Sequence, residues 1–461
     1  MAHDSARLIA AELLAGVMLD GSYANLLLPR LLAESSLSVQ DRALATELSY
    51  GTLRMQGSLD QILQHLSTRP LEELDPEVLI ALRLGSYQLL ATRIPHHAAV
   101  DESVKLIRVM RRASASSFVN AMLRRVADRD FAEWAVLLHP DASTDAYLSF
   151  TRFHPEWIIR AFRESLAGNG ISEEHELEAL LEADNAAPQV NVAVLPTATA
   201  ADRLAIEAAS LPLPYSPYAR VLESGMPGRF SSIRQGRIRV QDQGSQLAAL
   251  ALISAAPLKA GEQWADFCAG PGGKAALLAS VAGQHDIHFL ANELNPVRAR
   301  LVEQAVHAVN PDAELRVGDG RDFHSAERLF DRIMLDAPCS GIGALRRRPE
   351  ARWQKTPRDI ATLIPLQQQL LDSAIRSLRP GGIVAYVTCS PHLAETHQVV
   401  QHALQQHPTM IALPTAELLN AAINEPLTPF GAEKPQLQLW PHLHGTDAMF
   451  ITLLQAPVVS Q

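Results

Sequence analysis

Over the first 140 or so residues, hydrophobic positions recur only at helical spacing. "RLIAAELLAGVML", "PEVLIALRLGSYQLLAT" and "AAVDESVKLIRVMRRA" place apolar residues three and four apart, the spacing that aligns them along one helix face. Pro70, Pro76, Pro95 and the loop before Phe118 interrupt the pattern. It predicts an all-helical bundle of about six or more short helices over 1–140, followed by an Asp-, Ser- and Thr-rich linker, "HPDASTDAY". Residues 141–236 mix two periods: "HPEWIIRAFRESLA" and "EEHELEALLEAD" read as helices, and "QVNVAVL" alternates as a strand. A small α+β module is expected there. From 237 to 461 the runs "EQWADFC", "IHFLANE", "AELRVGD", "DRIMLDA" and "GIVAYVTC" alternate with helical stretches such as "GGKAALLASVA" and "NPVRARLVEQAVHAV". That rhythm predicts βαβ units in a doubly wound, Rossmann-like α/β sheet. In such a sheet ligands bind beyond the carboxyl ends of the strands.

Composition narrows the class without changing this picture. The length, 461 residues, suits two to four domains. No window approaches the roughly 18 apolar residues of a membrane span, and "MAHDSARLIAAELL" lacks the marks of a secretory signal. The expectation is a soluble, cytoplasmic monomer. Three cysteines are too few for a disulfide framework. There is no Cys-x-x-Cys pair, and the 17 histidines lack ligand spacing, so no metal is expected.

The net charge of −10 argues against nucleic acid, but its distribution argues for it. Lys105 to Arg129 holds seven basic residues against Asp128 alone; Arg346, Arg347, Arg348, Arg352, Lys355 and Arg358 face only Glu350; Arg229, Arg234, Arg237 and Arg239 have no acid near them in sequence. Local basic patches on an acidic protein suit a phosphate backbone, although solvated helix faces would look the same. Arg346, Arg347 and Arg348 are expected to contact RNA phosphates. Trp353 either stacks on a base or packs over the loop.

The first βα turn of the last region is "DFCAGPGGKAA". Its glycines let backbone approach a ligand closely, and the helix N-terminus favours an electronegative group. It matches neither the Walker A loop nor G-x-G-x-x-G. Glu293 ends the next run, about 20 residues on, where an acid hydrogen-bonds ribose hydroxyls. Asp319 ends the third, placed for an adenine amino group. Each acid alone also suits a helix N-cap. Together, around one glycine loop without a phosphate-gripping motif, they predict S-adenosylmethionine rather than a dinucleotide.

The fourth run ends at Asp336 in "DAPC" and the fifth at Thr388 in "VTCS", so Cys339 and Cys389 are expected in one cleft. A cysteine is ordinarily packing, and only the thiolate is a good nucleophile. A thiol pair beside a methyl donor suits one reaction. Carbon 5 of cytosine is too weak a nucleophile to take a methyl group directly; thiolate addition to C6 makes C5 enamine-like. C5 can then attack the methylsulfonium, and loss of the C5 proton and elimination of the thiol restore the ring. Asp336 is placed to stabilise the adduct near N3. The residues by themselves do not rank the two thiols.

"DAPCSGIGALRRRPEARW", "DFCAGPGGK" and "VTCS" together resemble the RNA cytosine-5 methyltransferases. The resemblance covers the whole chain: "IPHHAAVDESVKLIR" and "SSFVNAMLRRV" are similar to a NusB-like helical RNA-binding domain, "RFHPEWIIRAF" to the start of the middle module, and "LWPHLHGTDAMFITLL" to the closing strands. It implies that Cys389 is the nucleophile and that Cys339 helps release the product. In DNA cytosine methyltransferases the nucleophile follows the proline, which would select Cys339 instead. It also implies that S-adenosylmethionine lies on Cys268, Ala269, Gly270, Pro271, Gly272, Gly273, Lys274, Glu293, Asp319 and Asp336. Cys268 then contributes backbone, and Lys274 approaches the cofactor or orients Asp336. The implied substrate is 16S rRNA; 23S rRNA or tRNA are alternatives with the same chemistry. A non-catalytic RNA-binding assembly factor would tolerate a decayed loop or a missing thiol, and neither is seen. A thiol–disulfide protein would leave the glycine loop and the acids unexplained. Three departures from the family pattern, Ala394-Glu395-Thr396 for two acids and Asn, Gly270 for Ala and Ala448 for Gly, are expected not to touch the chemistry.

Overall fold

The apolar stripes of the N-terminal region close into helices in the computed structural model, which describes residues 5–223, 227–325, 328–427 and 434–458. These are α1 (Ala6–Asp20), α2 (Ala24–Glu34), α3 (Val39–Leu66), α4 (Pro76–Ala91), α5 (His96–Val109), α6 (Ser116–Val126), α7 (Phe131–Leu138) and α8 (Asp145–Arg152). Caps set the ends: Ser5 and Ser38 accept backbone N–H groups at the starts of α1 and α3, and Asp130 with Glu133 forms a capping box on α7. Helix α4 is apolar nearly all round, so it is buried. Its Ile80 and Leu84 pack with Leu13 and Leu48, whereas Leu79 and Leu82 pack with Ile62, Leu123 and Trp134. The predicted bundle is present, with α3 longer than the short helices expected.

The chain forms two compact units. One comprises Met1–Arg160 with Asp184–Ala186 and Leu345–Lys355; the other comprises Ala161–Ala183, Ala187–Ala344 and Thr356–Gln461. After α9 (Glu156–Gly168) and α10 (Glu174–Asn185), the second unit opens with a four-stranded antiparallel sheet. Its strands β1 (Asn191–Val194), β2 (Ser210–Pro212), β3 (Ala219–Leu222) and β4 (Ile238–Val240) lie in the order β2-β3-β1-β4, with α11 (Ala200–Glu207) and α12 (Ser231–Arg234) between them. The basic stretch at 229–239 is not acid-free in space. Arg237 binds Asp202 in a fork at 2.7 and 3.0 Å, and Arg239 is largely buried.

After α13 (Gln243–Ser254), every apolar run of the last region becomes a strand of one large sheet. Parallel strands β5 (Gln263–Asp266), β6 (His288–Glu293), β7 (Glu314–Val317), β8 (Phe330–Asp336) and β9 (Leu378–Thr388) are joined by antiparallel β10 (Ile411–Leu413), β11 (Leu437–Gln438) and β12 (Phe450–Gln455). The order is β10-β12-β9-β8-β5-β6-β7. The helices α14 (Gly273–Gln284) and α15 (Pro296–His307) cross between β5, β6 and β7, and both sheet faces are covered by buried aliphatic clusters. The strand order reverses between β5 and β8, so a ligand crevice opens there at the carboxyl ends. Asp266, Glu293, Asp336 and Thr388 end their strands on that edge, and Asp319 follows just beyond β7.

Leu345–Lys355, with its single turn α16 (Ala351–Gln354), folds as part of the helical unit. The Arg352 guanidinium is fully buried; it donates to Asp184 O and Asn185 Oδ1, both at 2.8 Å, and to Phe153 O at 3.3 Å. Trp353 Nε1 donates to Leu53 O at 2.7 Å, and its ring fills the space over Gly57, where a Cβ would lie 2.3 Å from it. Buried Glu350 accepts from Ala24 N at 3.2 Å. One expectation is thereby corrected, and of the two readings of Trp353 the packed one holds. Arg352 is not part of a solvated cationic face, because it is fully buried and its two terminal nitrogens donate to three internal acceptors. Trp353 does not present its ring to a base, because packing and a hydrogen bond hold it. Arg346, Arg347 and Arg348 are half-buried, with Arg348 5.6 Å from the Tyr23 ring centroid. The second unit resumes with α17 (Pro357–Arg376) and α18 (His397–Gln406).

Candidate functional site

The glycine turn is built by its backbone bonds. Ala269 N donates to Asn292 O at 2.8 Å, Gly272 N to Ala269 O at 2.7 Å, and Ala276 N to Gly272 O at 3.0 Å, which starts α14. Gly272 has φ +104°, a conformation L side chains avoid. Gly270 N donates to Glu293 Oε2 at 3.0 Å, and a Cβ on Gly270 would lie 2.2 Å from that oxygen. The departure from Ala at this position therefore does touch the site. Glu293 is buried, accepts from Asn295 N at 2.9 Å and pairs with Arg298 at 3.2 Å. Asp319 is held by Arg321 at 2.6 Å, which keeps its carboxylate below the usual range. Asn292, not singled out from the sequence, bridges Phe267 O and Gly318 O at 2.9 and 3.0 Å and so ties the ends of β5 and β7 together.

A buried carboxylate, Asp266, and a half-buried one, Asp336, meet beneath this turn. Asp266 Oδ1 accepts from Cys268 N at 3.2 Å; Oδ2 has no hydrogen-bond partner among the described residues. Burial and the charge of Asp336 push Asp266 up to about 8, since a carboxylate out of water beside another resists ionisation. Asp336 receives Lys274 Nζ at 2.8 Å. Burial opposes the Lys274 charge, but Asp336 outweighs it and leaves that pKa raised. Desolvation, then the charges of Asp266, Asp336 and Glu293, hold the thiol of half-buried Cys268 well above the ordinary range. That disfavours the thiolate.

Cys339 and Cys389 come together as expected, with their sulfurs 3.4 Å apart. The hydrogen bond with Cys389, burial, and the charges of Cys389, Glu395 and Asp336 all raise the Cys339 thiol. The charges of Cys389 and Lys274 attract, which adds to the rise in the Lys274 pKa. Backbone bonds fix both loops: Ala337 N donates to Val387 O and Gly343 N to Cys389 O, each at 2.9 Å. A Cβ on Gly343 would lie 2.8 Å from that Cys389 oxygen. Ala448 N donates to Gly343 O at 2.8 Å, so this departure also borders the thiol loops.

Glu395 is the residue the sequence reading undervalued. It is fully buried. Its Oε1 accepts from Ser340 N at 2.8 Å and Gln367 Nε2 at 3.1 Å; its Oε2 accepts from the hydroxyls of Ser340 at 2.5 Å and Ser390 at 2.7 Å. Ser340 and Ser390 each follow a cysteine directly. That paired Cys-Ser was the available signal: two hydroxyls at neighbouring strand ends can share one acceptor.

Comparison with known proteins gives this geometry a family. Residues 254–455 match the model described as 16S rRNA methyltransferase RsmB/F, and residues 4–128 match the NusB family. The Mycobacterium tuberculosis protein Rv1407, provisionally named a methyltransferase, is 45% identical over 98% of this chain and 96% of its own. Ribosomal RNA small subunit methyltransferase B of Yersinia pseudotuberculosis is 31% identical over 87% of this chain and 90% of its own. The chain belongs to the RsmB/F family of rRNA methyltransferases. As a member it is an RNA methyltransferase with S-adenosylmethionine as cofactor. The fold is shared across the full length with the crystal structure of PH0851 (TM-score 0.80, 22% identity, 98% of this chain and 99% of that one). It is shared in part with NSun6 from Pyrococcus horikoshii, solved with SFG (TM-score 0.53, 16% identity, 65% of this chain and 98% of that one).

The site suits that cofactor by its donor set. Glu293, Asp319, Asp336 and the unpartnered oxygen of Asp266 present acceptors around a glycine turn at a helix N-terminus. S-adenosylmethionine offers hydroxyl, amino and ammonium donors and a positive sulfonium. A carboxylate has about four lone-pair sites, so the acids retain capacity beyond their present partners. Among the described residues no group of His, Cys, Asp and Glu is arranged to hold a metal, and no helix is long and apolar enough to cross a membrane.

Proposed function

We propose that this family member methylates carbon 5 of a cytosine in 16S rRNA through a covalent adduct between Cys389 and C6. The observation that carries the reading is the 3.4 Å thiol pair beside the Lys274–Asp336 pair, a constellation that transfer to an amine would not need. Cys268 to Lys274, Glu293, Asp319 and Asp336 hold S-adenosylmethionine, which when bound supplies an electrophilic methyl group. Cys389, favoured as thiolate by the neighbouring ammonium, adds to C6. Asp336 faces N3 and stabilises the adduct. The enamine-like C5 then takes the methyl group; its proton is lost to water and the C6–sulfur electron pair returns to Cys389, which restores the ring. Cys339, whose thiol stays protonated, is the nearest proton donor to the departing sulfur. The helical region over 1–140 presents Arg108, Arg111, Arg124, Arg125 and Arg129 exposed, which suits phosphate contact; we assign it RNA binding. The relatives named above support a 16S target; 23S rRNA or tRNA would be read by the same chemistry.

The test is a denaturing gel of unmodified 16S rRNA and S-adenosylmethionine with wild type, Cys339→Ala and Cys389→Ala. Covalent protein–RNA complex should accumulate with Cys339→Ala only. Accumulation with Cys389→Ala only would swap the roles. No complex and no methyl transfer by wild type would reject the 16S substrate or the reaction class.

A further inference from the structure

The thiol pair is useful only if two separate loops keep their sulfurs in register. Backbone bonds align β8 and β9, but the loops beyond them carry the cysteines. One side chain spans both. Glu395 accepts four hydrogen bonds: two from Ser340, next to Cys339; one from Ser390, next to Cys389; and one from Gln367, whose amide also donates to Pro338 O at 2.9 Å. Its own carbonyl accepts from Tyr386 OH on β9 at 2.7 Å. Four donors fill the four lone-pair sites of an ionised carboxylate. Bonds to a charged acceptor are among the stronger ones. An anion buried at 0% exposure is costly unless satisfied in this way, so the loops and the carboxylate hold one another in a single arrangement.

We propose that Glu395 is a positioning residue of the methyl-transfer reaction, clamping the Cys339 and Cys389 loops so that the Cys339 thiol stays within reach of the Cys389 sulfur. It touches neither substrate nor cofactor and acts through Ser340 and Ser390. Its charge also bears on Cys339 and helps keep that thiol protonated. The inference rests on the thiol reading above, so its test has a readout independent of methylation.

That readout is oxidation of RNA-free protein by diamide. The azo compound takes the two electrons and two protons that the thiols lose and becomes the hydrazine, while Cys339 and Cys389 become a disulfide identified by peptide mass. In wild type the pair should close readily. Glu395→Ala should slow closure by about 10-fold or more and lower the kcat of methyl transfer by about 100-fold, with KM for RNA within about 2-fold, because misplacement by an ångström removes reactivity rather than binding. Glu395→Gln keeps the shape and an oxygen for Ser340 N–H; it should recover closure to within about 3-fold of wild type and kcat to within about 10-fold. It also decides the matter if the alanine variant does not fold. Wild-type closure and kcat in folded Glu395→Ala would overturn the proposal, as would Glu395→Gln no better than a folded Glu395→Ala. Slowed closure with unchanged methyl transfer would uphold the clamp on the thiols but refute their use in the reaction.

Discussion

Two stretches that adjoin in sequence have opposite fates. Residues 336–344 carry Asp336, Cys339, Ser340 and Gly343 and build the thiol loop of the methyltransferase unit. Residues 345–355, which follow without a break, fold within the helical unit. There Arg352, Trp353 and Glu350 bind backbone groups of Asp184, Leu53 and Ala24. The first stretch is polar because chemistry needs it; the second is polar because buried backbone carbonyls and amides need partners. Charge in a sequence therefore does not report exposure. A guanidinium with five donors can close a core as readily as it can face a phosphate.

That contrast can be broken by mutation. Cys389→Ala in the first stretch's partner loop should cost on the order of 10⁴-fold or more in methyl transfer and leave the thermal melt near wild type. A variant with residual activity above about a hundredth would show that the thiol is not the nucleophile. Arg352→Ala should do the reverse. It leaves one buried and two partly buried acceptors unmatched and should destabilise the helical unit by about 3–5 kcal/mol, read as an earlier unfolding transition. Unchanged stability together with weakened RNA binding would restore the phosphate-contact reading.

A pH effect sharpens the comparison from the other unit. Asp266 is raised to about 8 in the folded chain and returns to about 3.9 when unfolded. The folded state binds the extra proton, so the contribution is full below about pH 4 and is lost as pH rises towards 8. Unfolding free energy should fall across that window with a slope of at most about 1.4 kcal/mol per pH unit, and Asp266→Asn should flatten it. An equal slope in the variant would refute the assignment. The smallest effect is expected of Trp353→Phe, which keeps the ring but loses the bond to Leu53 O. It should cost about 1 kcal/mol of stability and leave RNA affinity unchanged; an affinity loss of about 1–3 kcal/mol would mark a stacked base.

The amino-acid sequence by itself determined the helical bundle, the alternation of strands and helices in the last region and the placing of Glu293, Asp336 and Cys389 on one edge. These follow from periodicities of 3.6 and 2 and from glycines in a turn, all of which act over a few residues. Only the tertiary structure decided which polar groups are spent internally. Glu395 lies 55 residues from Ser340, and Arg352 lies 168 from Asp184. Neither pairing leaves a local pattern, because a hydrogen bond depends on distance in space and carries no period along the chain. The thiol pair stands between these cases. Its strands were legible, but the 3.4 Å between the sulfurs was set by the buried carboxylate and backbone bonds that join their loops.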